Sequence, residues 1–152
     1  MRELVTHEFE RFKQHLSYYD ENSLGNLSPF FEAKFFELQS SATPLAIIAH
    51  AYPQAKVEQA QTSTISPDEL TNAIRVFFTH VEDKDQDIER MPDDFLKLME
   101  SCINYKDSKI CRYDPDSRSQ DELYDFIAWG FTYVIETPHD GRCLLIHGGY
   151  MD

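Results

Sequence analysis

The run Trp129-Gly-Phe-Thr-Tyr-Val-Ile-Glu136 sets Trp129, Phe131, Tyr133 and Ile135 on alternate positions. That period of two puts successive side chains on opposite faces of a strand. Pro138-His139-Asp140-Gly141 follows as a turn, with Gly where a positive φ is expected, and Arg142 to His147 returns as a second strand. A C-terminal β-hairpin is thus the element the chain must accommodate, and its aromatic face needs a cover.

The periodicity upstream predicts that cover. Leu4, Val5, Phe9, Phe12 and Leu16 recur at helical spacing over about residues 2 to 18. Ser28-Pro29 has the form of an N-cap followed by Pro at the first helical position, ahead of an apolar face of Phe31, Phe35 and Leu38 flanked by Phe30 and Phe36. Thr43-Pro44 repeats the signal before a short apolar run ending at Tyr52, which fits a helix or a buried strand, and Gln54 to Thr64 reads as helix then loop. Ser66-Pro67-Asp68-Glu69 is a capping box opening a helix with Leu70, Ala73, Ile74, Phe77, Phe78 and Val81 on one side. Phe95, Leu96, Leu98, Met99, Cys102 and Ile103 predict a shorter helix starting near Pro92, with Asp93 and Asp94 suited to its N-terminal dipole. Ile110 to Tyr113 suits a strand, Asp114-Pro115-Asp116 a turn, and Ser119-Gln120-Asp121-Glu122 a second capping box for a short helix through Ile127.

These elements predict one α+β globular domain spanning residues 1–152, with a predominantly helical N-terminal two-thirds packed on a small antiparallel sheet built around the C-terminal hairpin. A chain of 152 residues is of ordinary single-domain size. Its N-terminus interleaves charges with apolar residues, unlike a secretory signal, and its longest apolar stretch, Pro44 to Tyr52, is far short of the roughly 20 residues of a membrane span. Cys102, Cys111 and Cys143 include no CxxC and cannot all pair within one chain. Reduced thiols and a cytoplasmic location are the expectation.

Charge supplies the main functional clue. The net charge is −13, and residues 61–152 carry nineteen acidic and nine basic residues against eight and five in residues 1–60. Affinity for a phosphate backbone comes from Lys and Arg displacing counterions, so direct nucleic-acid binding is disfavoured and a basic protein partner favoured. The expected partner-binding residues are Glu82, Asp83, Asp85, Asp87, Glu89, Asp93 and Asp94, with Asp114, Asp116, Asp121 and Glu122 as a second cluster. The class suggested is an inhibitor, immunity or antitoxin-type protein masking a basic partner such as a nuclease toxin.

Other chemistries find less support. Asp83-Lys-Asp85-Gln-Asp87 opens like a calcium loop, but Ile88 replaces the sixth-position Gly and Asp94 the bidentate Glu, while Pro92 falls at the tenth position. No metal or cofactor is expected. His7, His15, His50, His80, His139 and His147 show no zinc spacing, and His50 and His80 read as core residues. Cys143 and His147 share one strand face about 13 Å apart, too far for direct proton transfer, so a nucleophilic thiol would need His139 or another imidazole brought close. Gly148-Gly149 precedes no helix that could hold a phosphate. The alternatives are a small enzyme without a recognisable motif, centred on Cys143, His139 and His147, or an adaptor homodimer joined through the edge of the hairpin.

Overall fold

A computed structural model describes residues 1–4, 7, 9–11, 14, 28–79, 86–118, 121–125, 127–137 and 140–151. Six strands form one antiparallel sheet: β1 (Arg2–Leu4), β2 (Ser28–Glu37), β3 (Gln61–Ile65), β4 (Lys109–Asp114), β5 (Ile127–Thr137) and β6 (Arg142–Met151), in the order β1-β2-β6-β5-β4-β3. Three helices are described in full, α1 (Pro44–Ala51), α2 (Pro67–Thr79) and α3 (Gln86–Cys102), and residues 7, 9–11 and 14 are also helical.

The expected helical N-terminal two-thirds is not what forms, because three of the six strands lie before residue 66. Ser28-Pro29 opens β2, a ten-residue strand paired along its length with β6. Phe31 and Phe35 point into one core and Phe36 into another, so neighbouring positions are both apolar and the strand imitates a helical stripe. Arg2–Leu4, expected as helix, pairs with Phe35–Glu37 as β1. Between Gln54 and Thr64 lie a short 3-10 turn, Val57–Gln59, and then edge strand β3.

The caps at Thr43 and Ser66 are in place: the Thr43 hydroxyl accepts from the Ala46 N–H at 3.2 Å and the Ser66 hydroxyl from the Glu69 N–H at 3.2 Å. Helix α3 starts six residues before Pro92, which lies inside it and forgoes the bond to the carbonyl four residues earlier. The capping box at residues 119–122 lies partly outside the described residues. Asp121 caps only the 3-10 turn Glu122–Tyr124, and Ile127 belongs to β5.

The sheet is covered on both faces. On one, Phe31, Phe35, Phe131, Tyr133, Ile135, Leu144 and Ile146 pack with Leu70, Ile74 and Phe77 of α2 and Phe95 and Met99 of α3. On the other, Phe36, Tyr113, Val134, Cys143 and Leu145 meet Ile47 and Ile48 of α1, with Tyr52 and Leu123. The hairpin lies inside the sheet, β6 pairing along its length with β2 and Tyr133–Glu136 of β5 pairing with β4.

Candidate partner-binding surface

Under α1 the sheet carries a buried polar layer. His147 Nδ1 lies 2.8 Å from the Thr132 hydroxyl and 3.1 Å from the Phe131 carbonyl, and Thr132 is in turn 2.8 Å from the Tyr124 hydroxyl. The rings of Phe30, Tyr52 and Tyr124 surround the imidazole with centroids 5.1 to 5.6 Å away. Tyr52 donates to Glu32 at 3.0 Å, and Lys34 donates to the Ala51 carbonyl at 3.0 Å with its ammonium over the Tyr52 ring. Burial and Glu32 raise the Tyr52 phenol, which stays a donor.

Burial lowers His147 below its usual value, and the facing carbonyls of Phe131 and Leu123 with the charges of Glu32 and Asp121 only partly offset this. The unfolded chain therefore takes up a proton near pH 6.5 that the folded chain resists. Stability from this residue is complete above that pH and falls as pH drops through it, by at most about 1.4 kcal/mol per pH unit. Urea titrations from pH 5 to 7.5 should show wild type losing stability towards pH 5 relative to His147→Phe. Parallel curves would sink the assignment.

Cys143 is fully buried, and burial with Glu136 nearby raises its thiol, opposite to an activated nucleophile. It pairs across the sheet with Phe36 and Glu136, whereas His147 pairs with Glu32 and Thr132. The two are buried apart on the same face, and His139 lies outside the described residues. The expected core histidine, His50, is exposed at the end of α1 with its ring 6.0 Å from that of Phe36. His80 also lies outside the described residues.

Among the acidic residues expected to bind a partner, Glu82, Asp83 and Asp85 lie outside the described residues, and Asp87 and Glu89 fall in α3 rather than in a linker. Asp93 and Asp94 are exposed on α3, where Asp93 pairs with Arg75 of α2 at 2.8 Å. Asp114 ends β4, accepting from Arg112 at 2.8 Å and from the Ser63 hydroxyl of β3. Asp116 accepts from the Arg118 N–H at 3.0 Å, and Glu122 is exposed. Asp121 is a structural residue: it is 5% exposed, accepts from the Tyr113 hydroxyl and from the Leu123 N–H, and holds the 3-10 turn against β4. A carboxylate this deeply buried presents almost no surface to a partner.

Two further carboxylates come to β4 from opposite faces of the sheet: Glu58 acts on Tyr113, with Asp121, on the face under α1, and Glu69 acts on Arg112 and Tyr133, with Asp114, on the face under α2. They arrive from the 3-10 turn before β3 and from the first turn of α2, so only the sheet order gathers them.

An antiparallel six-stranded sheet with helices on both faces defines the class of fold. Solved structures similar to this chain include citrus MAF1 in two crystal forms. One crystal form aligns with a TM-score of 0.70 and 14% identity over 94% of this chain and 98% of that one; a second gives 0.69 and 13% over 93% and 97%. At that identity the likeness is one of fold. The sequence itself matches no family model and no curated protein.

Proposed function

We propose that this chain is a protein-binding module whose acidic surface engages and masks a basic partner, in the manner of an inhibitor, immunity protein or antitoxin covering a nucleic-acid-processing protein. The observation that carries this reading is that the exposed Glu58 and Glu69 come to β4 beside Asp114 from three separate segments, in a chain of net charge −13. Such a field speeds encounter with a partner rich in Lys and Arg and rejects acidic competitors. Its reach is set by the Debye length, about 8 Å at physiological salt.

The test is capture of a basic protein at low salt, followed by association kinetics for the combined variant Glu58→Gln, Asp116→Asn, Glu122→Gln, with Asp121 kept because the fold needs it. The expected result is an association rate reduced about tenfold or more at low salt, with a flatter salt dependence and little change in dissociation. Unchanged kinetics, or a captured partner without a basic surface, would sink the reading.

A further inference from the structure

The two margins of the sheet differ in a way that bears on how a partner docks. At one margin β1 is three residues long and carries two charged side chains, with Arg2 ion-paired to Glu37, the treatment that discourages pairing with another chain. At the other margin Gln61–Ile65 pairs with β4 alone. Among the described residues, no backbone hydrogen bond is made to the outer side of β3. Its sequence, Gln-Thr-Ser-Thr-Ile, holds β-formers and no charge or Pro, its register with β4 is regular, and Gln61, Thr62 and Thr64 are exposed. Nothing in this strand blunts its edge.

We infer that β3 is a strand-addition site, at which an extended Lys- or Arg-bearing segment of the partner pairs with Gln61–Ile65 as a seventh strand. This rests on the basic-partner reading above and states the form in which that partner binds. Backbone pairing supplies the affinity, and side chains at alternate positions supply the selectivity. The flanking charges choose the occupant. Glu58 precedes the strand and Asp114 stands opposite Gln61, while Asp68 and Glu69 follow Ile65 and are exposed. Of the neighbouring cations on β4, Arg112 is engaged by Asp114, and Lys109 is exposed beside the Ile65 end, where Asp68 and Glu69 outnumber it. A second copy, also at net −13, would bring like charges together at both ends of the joint, whereas basic residues on an incoming strand meet carboxylates there. A five-residue strand spans about 17 Å, so the matching segment carries basic residues about five positions apart.

The test uses the full chain at low salt and three probes: a six-residue peptide of alternating Thr and Val between terminal Lys residues, the same peptide N-methylated on one edge, and octalysine. Amide exchange and amide chemical shifts of residues 61–65 are followed. The first peptide should slow exchange in 61–65 by about tenfold and shift these amides, the N-methylated peptide should lose that effect, and octalysine should bind without protecting the strand. Equal protection by the N-methylated peptide, or binding with no change at 61–65, overturns strand addition while leaving the basic-partner reading standing. Failure of all three probes to bind removes both. Protection that grows with protein concentration alone, accompanied by a dimer in sedimentation, overturns the inference in favour of self-pairing.

Discussion

Gly149→Ala should cost about 3 kcal/mol or more. Gly149 sits in β6, the strand with neighbours on both sides, opposite Gly130 of β5 and Phe30 of β2. A Cβ added there would lie 2.1 Å from the Trp129 carbonyl oxygen and 2.6 Å from the Gly130 Cα. Both obstacles are backbone, so no side-chain rotation relieves the overlap, and the two strands must separate there. The backbone at Gly149 also has a φ of +156°, which a side chain rarely adopts. Gly148→Ala is the informative control: its added Cβ meets the tip of the Phe131 ring at 2.9 Å and the Phe30 carbonyl at 3.1 Å, so part of the strain can pass to a side chain. The melting temperature of Gly149→Ala should fall by about 6–12 °C, and that of Gly148→Ala by less. A Gly149→Ala protein within 1 °C of wild type would refute the close approach of β5 and β6.

That close approach is invisible in the sequence, where Gly148-Gly149 offers only the negative reading that no phosphate-binding helix follows. What was legible was local. The caps at Thr43 and Ser66 depend on side chains reaching their own first turn, and the hairpin depends on alternation across a tight turn, so neighbouring residues carry the whole signal. What was not legible depends on what covers each face. β2 is buried on both sides, which spoils the alternation by which a strand is recognised, and Phe31 and Phe35, four apart, mimic a helix stripe. β3 is polar because it lies at the margin, and Gln-Thr-Ser-Thr also suits a loop. At the candidate surface, Asp114, Asp116 and Glu122 could be named from charge alone. Removing Asp121 and adding Glu58 and Glu69 required knowing that Tyr113 turns towards Asp121 and that β3 and α2 flank β4.

Phe77→Ala tests the helical cover that holds this arrangement, and should cost about 3–5 kcal/mol. Phe77 is fully buried on α2, with its ring centroid 5.1 Å from Phe78, 5.5 Å from Tyr150, 5.6 Å from Phe131 and 6.4 Å from Phe31. It thus touches β2, β5 and β6 at once, and truncation would leave a void bounded by three strands and a helix that cannot all close on it. The backbone adds a second tie, since the Tyr150 hydroxyl donates to the Phe77 carbonyl. That bond survives the substitution, so the loss measured is packing alone. Phe77→Leu keeps most of the volume and should cost only about 1.5 kcal/mol. In urea, both variants should shift the midpoint at unchanged slope, with reduced near-ultraviolet dichroism for Phe77→Ala as the aromatic cluster loosens. The two substitutions costing the same, or neither exceeding 1 kcal/mol, would mean that α2 does not seat on the sheet through Phe77. Because α2 also carries Glu69 and Arg75, a loosened α2 should slow partner association even with every surface carboxylate intact. Stability and binding would then fall together in Phe77→Ala, whereas the surface carboxylate variants should lose binding alone.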